Sequence, residues 1–202
     1  MENYVVITAD VIASKKHKNF KNIFKKRVKK LDYPESMISP FKIAKGDEMQ
    51  AVFSSGLDIA KYIRQLRCSM LPLKIRIGIG IGEVSDQQNI KSWKSKGKAF
   101  DFSAKALDLI DQDRKFKTKV MSESSKDEII NTIFLLLDSL EFEWNRTTWN
   151  LVNIYDNSEN PQKAAETLMI DDAELKCRCK NAHLEEVYHA ENNLNKIIAN
   201  II

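Results

Sequence analysis

The feature that most constrains the fold is a run in which isoleucine alternates with other residues from Ile75 to Gly82. Side chains along a β-strand point alternately to opposite faces, so one face of this strand is apolar and the other is largely glycine. Glycines on a strand let another backbone segment or a ligand approach the sheet closely. No helix start follows directly, so the glycines do not predict a phosphate-binding loop. The run predicts a sheet strand with one bare face.

The rest of the chain divides into a strand-containing first part and a helical second part. Hydrophobic periodicity predicts strands and helices up to about residue 121, and helices alone from about residue 125 onward. The sequence therefore predicts an α/β fold of the α+β type, with units at 1–122 and 123–202. The predicted strands are 4–9, 41–45, 49–54, 73–82 and 116–121, and the predicted helices before residue 122 are 19–31, 57–70 and 99–110.

Acidic residues lie where two of these predicted strands end. Asp10 follows the first strand, and Asp47 and Glu48 lie in the turn of the hairpin formed by the next two strands. Carboxylates delivered by neighbouring strand ends can hold Mg²⁺ or Mn²⁺ against phosphate oxygens. This pattern predicts a metal–nucleotide site where the strands pair. The strand order and the hairpin turn also predict that the hairpin lies beside the first strand, with helices on one face of the sheet. The alternative is that Asp10 begins a turn and Gly46-Asp47-Glu48 is only a hairpin loop.

Positive charge is concentrated near the N-terminus. Residues 15–30 contain nine Lys and Arg, whereas residues 144–202 contain six Lys and Arg against nine Asp and Glu. Apolar residues within the basic segment recur at helical spacing, which predicts an amphipathic helix with a basic face. The face is either simply solvated or an anion-attracting surface beside Asp10, suited to triphosphate, nucleic acid or acidic lipid.

Composition narrows the class of protein. A chain of 202 residues with 43% hydrophobic and 30% charged content is typical of a globular protein with one good core and an appendage. We expect no membrane span, because no apolar run approaches the ~18 residues that one requires. Three cysteines without a paired framework favour a reducing compartment, so the expected location is the cytoplasm.

The order of these landmarks resembles two related families, the class III nucleotidyl cyclases and the GGDEF domains. The resemblance lies in Asp10 after its strand, in the Lys45–Phe53 block, in the Ile75–Val84 strand and in the Gly97–Lys105 segment. It implies a ferredoxin-like, cyclase-type palm in front of the helical bundle. Over the whole chain, the opening Ile-Thr-Ala-Asp-Val-Ile-Ala-Ser-Lys and the Lys-Gly-Asp-Glu-x-Gln block resemble the SatD family more closely. The second resemblance indicates a relative rather than a reaction.

The cyclase resemblance implies roles for particular residues. It assigns metal binding to Asp10 and Asp47, and we add the neighbouring Glu48 as a metal ligand and Asp101 as an accessory acid. The residues that we expect near nucleotide phosphates are Ser14, Lys15, Lys45, Gly46 and Lys105, of which Lys105 takes the position of the cyclase arginine.

The catalytic positions of the cyclases are changed in this chain. The base-reading lysine and its partner acid fall on Ile43 and Lys94, and the transition-state asparagine falls on Asp101. An acid facing developing phosphate charge is electrostatically unfavourable unless it binds metal itself. Lys105 keeps the charge of the catalytic arginine but loses its bidentate fork. Cyclisation is therefore not expected.

Residues 160–180 resemble a degenerate helix-turn-helix. Ala165 takes the small-residue position, Asp171 is the expected N-cap of the second helix, and Met169 stands where a glycine is usual in the turn. The residues that would contact DNA are Lys176, Arg178 and Lys180. The net negative charge of the region and ordinary helix packing both weigh against DNA binding.

Three functions remain open from the sequence. The leading hypothesis is a nucleotide- and metal-binding regulatory module that changes how the helical part engages DNA or another partner. The alternatives are a Mg²⁺-dependent nucleotidyl transferase or phosphohydrolase, and a scaffold with a vestigial site. An apolar stripe near the C-terminus, including Leu184, Val187 and Leu194, either packs on the body of the chain or forms a homodimer.

Overall fold

Among the residues that the structure describes, five strands form a single sheet, in the spatial order β2 (Met37–Ile43), β3 (Glu48–Phe53), β1 (Tyr4–Val11), β4 (Ile75–Gly82) and β5 (Thr118–Met121). The computed structural model describes residues 3–44, 46–54, 58–85, 87, 89–113 and 117–201. β1 pairs antiparallel with both β3 and β4, β2 pairs antiparallel with β3, and β4 pairs parallel with β5.

The described residues also form eight α-helices, and a short 3₁₀ turn (Ser14–Lys16) follows β1. The predicted α+β class is confirmed, and the first six elements follow the β-α-β-β-α-β succession of the ferredoxin-like motif. The narrower cyclase-type assignment stays a prediction. The helices are α1 (Phe20–Val28), α2 (Ile59–Met70), α3 (Lys98–Asp113), α4 (Asp127–Glu143), α5 (Arg146–Asp156), α6 (Pro161–Leu168), α7 (Asp172–Asn181) and α8 (Leu184–Ala199).

Helices cover both faces of the sheet, so the expectation of helices on one face only is wrong. Val5 and Ile7 of β1 belong to the core that includes residues of α1 and α2. The intervening Val6 belongs to a second core with Ala99 and Phe100 of α3. The alternation of strand side chains assigns these two sets to opposite faces.

The bare face of β4 explains how α3 reaches the sheet. A Cβ atom on Gly80 would lie 1.9 Å from the Ala99 carbonyl oxygen, and one on Gly78 would lie 2.3 Å from the Ser103 carbonyl oxygen. Both contacts are far shorter than any real Cβ contact, so α3 can occupy this position only because these residues are glycines. The segment that approaches these glycines closely is therefore the backbone of α3.

Helices α4 to α8 all follow the predicted boundary at residue 122, but their core is continuous with that of the sheet. One buried cluster contains Ile7 of β1, Ile63 of α2 and Leu194 of α8. The C-terminal apolar stripe is part of this cluster, and Val187 and Leu194 are fully buried within the chain. Packing on the body therefore accounts for the stripe. A homodimer stays a prediction that would need another surface.

Two arginines of α2 are buried among carboxylates of the helical part. Arg64 and Arg67 each pair with two acids, and all six side chains are at most 5% exposed. An ion pair that is removed from water holds its charges only if the geometry and hydrogen bonding are nearly complete. These contacts fix α2 against α4, α5 and α8. The acids are Asp156 and Glu191 for Arg64, and Asp138 and Glu141 for Arg67.

Candidate functional site

Three charged residues form a row across the sheet on the face that α3 covers. Asp10 of β1 lies opposite Glu48 of β3 on one side and opposite Arg76 of β4 on the other. Directly opposed side chains in an antiparallel pair have Cβ atoms about 5 Å apart, and opposed like charges destabilise the sheet. Asp10 and Glu48 are therefore held close together by the strand register.

The register corrects two details of the sequence prediction. Asp10 lies inside β1, which continues to Val11, rather than at the end of the strand. Its cross-strand partner is Glu48, whereas Asp47 lies in the preceding turn. The predicted pairing of the two strands is correct, but the acid that it brings opposite Asp10 is the neighbour of the expected one.

Arg76 is the partner that the sequence analysis missed. Its Nε donates to Asp10 Oδ1 at 2.9 Å, its Nη2 donates to Asp10 Oδ2, and its Nη1 donates to Asp111 of α3. A carboxylate offers about four lone-pair sites, so a bidentate arginine leaves Asp10 two for another ligand. The available signal was that Arg76 shares the glycine face of β4, where its side chain must meet the Asp10 row.

The charge on Glu48 is incompletely balanced. Burial, followed by the charges of Asp10, Asp47 and Asp108, raises the pKa of Glu48 above its usual range. Three carboxylates therefore act on Glu48 at the start of β3. A cation bound among them would relieve this repulsion.

A cleft of about 680 Å³ opens beside these acids. Asp47 lines the cleft and also acts electrostatically on Glu48, so it connects the cleft with the acidic row. Lys15 and Lys21 supply positive charge, and the size is that of a typical small-molecule site. Among the predicted phosphate-contacting residues, the structure brings Ser14, Lys15 and Gly46 together here, and it adds Lys21 and Asn22 of α1. Lys45 lies outside the described residues.

The other two residues predicted for the metal–nucleotide site, Asp101 and Lys105, lie on α3. Asp101, Lys105 and Asp108 are exposed and follow one another at helical spacing, so they share one side of α3. Asp108 of this set acts on Glu48. Asp101 and Lys105 lie on the same side of α3 as Asp108, but neither lines the cleft. Asp108 was missed because only the fold brings this side of α3 near Glu48.

The acids do not form a complete cage of protein ligands. Among the described residues, no group of three or more His, Cys, Asp and Glu side chains is placed to hold a metal ion. Mg²⁺ bound to a nucleotide usually takes only one or two carboxylates and completes its coordination with phosphate oxygens and water. A divalent cation at these acids would therefore need further oxygen ligands from phosphate or water.

The segment compared with a helix-turn-helix consists of α6, α7 and the residues between them. Asp171 caps α7 as predicted, since its Oδ1 accepts the Glu174 amide at 2.7 Å. Ala165 and Leu175 are buried between the helices. Met169 adopts the left-handed conformation (φ 56°) that glycine usually takes, and its side chain is 92% exposed.

The charges on α7 oppose the predicted DNA contacts. The first turn of a recognition helix approaches the bases, but here it carries Asp172 and Glu174. Arg178 is paired with Glu174, while Lys176 and Lys180 are exposed. DNA binding through Lys176, Arg178 and Lys180 stays a prediction, with local electrostatics that disfavour it.

Comparison with known proteins gives a family but no reaction. The model of the SatD family matches residues 4–198, which is nearly the whole chain. No curated protein matches the sequence. Within the described parts of the chain, no helix is long and apolar enough to cross a membrane.

Proposed function

The chain belongs to the SatD family, and we propose that it binds a nucleotide through a divalent cation at the acidic row and the neighbouring cleft. The observation that carries this proposal is the strand register that places Glu48 opposite Asp10, beside a cleft lined by Asp47 and two lysines. An acidic cluster that is only partly balanced by Arg76 attracts Mg²⁺ or Mn²⁺, while Lys15 and Lys21 attract phosphate. The two sets of charges meet at Asp47.

Each residue has a proposed role at this site. Asp47 and Glu48 bind the cation, and Asp10 contributes through the lone pairs that Arg76 leaves free. Ser14, Lys15 and Gly46 contact the phosphates together with Lys21. Arg76 fixes the orientation of Asp10, because a bidentate guanidinium–carboxylate pair is both strong and directional.

We propose that the role is regulatory rather than catalytic. One support is that Ile43, Lys94 and Asp101 stand where the cyclases have their base-reading and transition-state residues. Another is the buried arginines of α2, which connect the sheet part to the helices. Ligand binding beside β3 would bias the packing of α2, and through it the surface that α6 and α7 present to a partner. A Mg²⁺-dependent transferase or phosphohydrolase is the alternative, and release of a product from ATP or GTP would establish it.

Replacing Glu48 by glutamine tests the acidic site through stability. The raised pKa means that the folded state binds protons more tightly than the unfolded state, so ionised Glu48 destabilises the fold. Without divalent ions, Glu48→Gln is expected to raise the melting temperature at pH 7. The gain should disappear below the ordinary pKa of glutamate, about 4.3, where the wild-type side chain is protonated too.

The same variant should lose the additional stabilisation that wild type gains from Mg²⁺ with ATP, because a neutral amide is a poor ligand for Mg²⁺. Glu35→Gln, at an exposed position before β2, is the matched control and should leave both properties unchanged. A lower melting temperature for Glu48→Gln at pH 7, or full retention of the Mg²⁺-ATP effect, would contradict the proposal.

A further inference from the structure

Trp93 combines an exposed side chain with a strained backbone conformation. It lies in the loop between β4 and α3 and is 39% exposed, whereas the other tryptophans, Trp144 and Trp149, are 9% and 6% exposed. Its backbone φ is 65°, in the left-handed region that residues other than glycine rarely adopt. Strained conformations of this kind persist where surrounding contacts impose them, and they are concentrated at functional sites.

Hydrogen bonds hold Trp93 in this strained conformation. Its backbone amide donates to Gln50 Oε1 at 2.9 Å, and its indole Nε1 donates to the Lys42 carbonyl at 2.7 Å. The preceding Ser92 is buried and bonded to Ser39 of β2. Since the indole nitrogen is already bonded, a further ligand would meet the ring of Trp93 through its hydrocarbon surface.

The same contacts place Trp93 next to the acidic row. Gln50 donates to Thr8 Oγ1 at 3.0 Å, and Thr8 is hydrogen-bonded to Ser103 of α3, so the Gln50 side chain lies on the face that α3 covers. Glu48 precedes Gln50 by two residues on β3 and points to this face as well. Two residues along a strand span about 7 Å, so Gln50, to which Trp93 is bonded, lies about 7 Å along β3 from Glu48.

The loop also carries positive charge, from Lys91, Lys94 and Lys96, all exposed. An exposed aromatic ring among cations, fixed in orientation, is suited to stack on the base of an anionic ligand. We infer that Trp93 stacks on the nucleobase of the nucleotide whose phosphates and cation occupy the cleft and the acidic row. The inference rests on the proposed function, and it restricts the ligand class to nucleotides rather than inorganic polyphosphates.

Two substitutions of Trp93 separate the contribution of its aromatic ring to binding from that of its hydrogen bond. Trp93→Phe and Trp93→Ala both lose the bond to the Lys42 carbonyl, but only the first keeps an aromatic face. Calorimetric titration of each variant with Mg²⁺-ATP and with Mg²⁺-tripolyphosphate is the test. Tyr33→Ala, which removes another exposed aromatic side chain, is the control.

The affinity of Trp93→Ala for Mg²⁺-ATP should fall by between about fivefold and a hundredfold, the usual effect of losing one base–aromatic stack. Trp93→Phe should stay within about threefold of wild type, and neither variant should differ from wild type with Mg²⁺-tripolyphosphate. Mg²⁺-ATP should also quench the tryptophan fluorescence of wild type, since Trp93 is the most exposed of the three.

Equal Mg²⁺-ATP affinity in wild type and Trp93→Ala would overturn the stacking role and leave the proposed function standing. No binding of either ligand to wild type would overturn both. If a thymidine oligonucleotide binds through Trp93 while Mg²⁺-ATP does not bind at all, the partner is a single-stranded nucleic acid and the inference is wrong.

Discussion

Replacement of Arg67 by methionine is expected to lower the free energy of unfolding by about 3–5 kcal/mol. Arg67 is 4% exposed and pairs with Asp138 and Glu141, each 2% exposed, and it also donates to Thr118 of β5. Methionine fills much of the same volume but leaves two buried carboxylates without their cation. Removing one partner of a buried ion pair is far more costly than replacing the whole group by apolar residues.

Thermal or urea unfolding measures this loss, and two further variants make the result specific. Lys98→Met removes the cation of an exposed ion pair with Glu123 and should melt close to wild type. Adding Glu141→Leu to Arg67→Met should recover part of the stability, because one of the unpaired charges is then gone. A melting temperature for Arg67→Met equal to that of Lys98→Met would show that the buried pairs contribute little.

Replacement of Gly80 by alanine is expected to displace α3 from the sheet. The new methyl group would meet backbone atoms of Ala99 and Ser103 at 1.9 and 2.4 Å, and helix backbone cannot rotate aside as a side chain can. Overpacking typically costs about 1–3 kcal/mol, and we expect a loss at or beyond the upper limit because the clash is with backbone.

Gly82→Ala provides the matched control on the same face of the same strand. There the nearest atom is the Lys98 Cβ at 3.2 Å, so a shift of a few tenths of an ångström at the start of α3 relieves the contact. Gly80→Ala should therefore unfold at clearly lower urea concentration than Gly82→Ala. Similar unfolding midpoints for the two variants would mean that α3 does not lie on β4 as described.

Much of the fold was accessible from local sequence patterns. The alternation at 75–82 predicted β4, and the spacing of Phe24 and Val28 predicted the buried side of α1, because both signals arise within a single element. Element ends were less accurate: β2 begins at Met37 rather than at residue 41, since Pro40 lies within this edge strand. Proline is tolerated at a sheet edge, where its missing amide need not pair.

The candidate site was less accessible, because it depends on how elements pair. Sequence identified Asp10, Asp47 and Glu48 as a group, but the register that places Glu48 opposite Asp10 is a property of the assembled sheet. Arg76 and Asp108 reach the acids from β4 and α3, which are distant in sequence. Trp93 was not identified because exposed aromatic residues occur singly on many surfaces, and only its backbone conformation and hydrogen bonds distinguish it.

The central claim, joint binding of a nucleotide and a divalent cation, is tested most directly by the melting temperature of wild type and of Asp47→Asn. Each protein is measured alone, with Mg²⁺, with ATP or GTP, and with both ligands. Because Mg²⁺ in nucleotide complexes takes only one or two protein carboxylates and completes its coordination with phosphate oxygens and water, Mg²⁺ or nucleotide alone should shift wild type little. Both together, at about 100 times the dissociation constant, should add about 2.7 kcal/mol, or about 5–10 °C. Asp47→Asn should fold normally and show no joint shift, whereas equal shifts in the two proteins, or none in wild type, would contradict the claim.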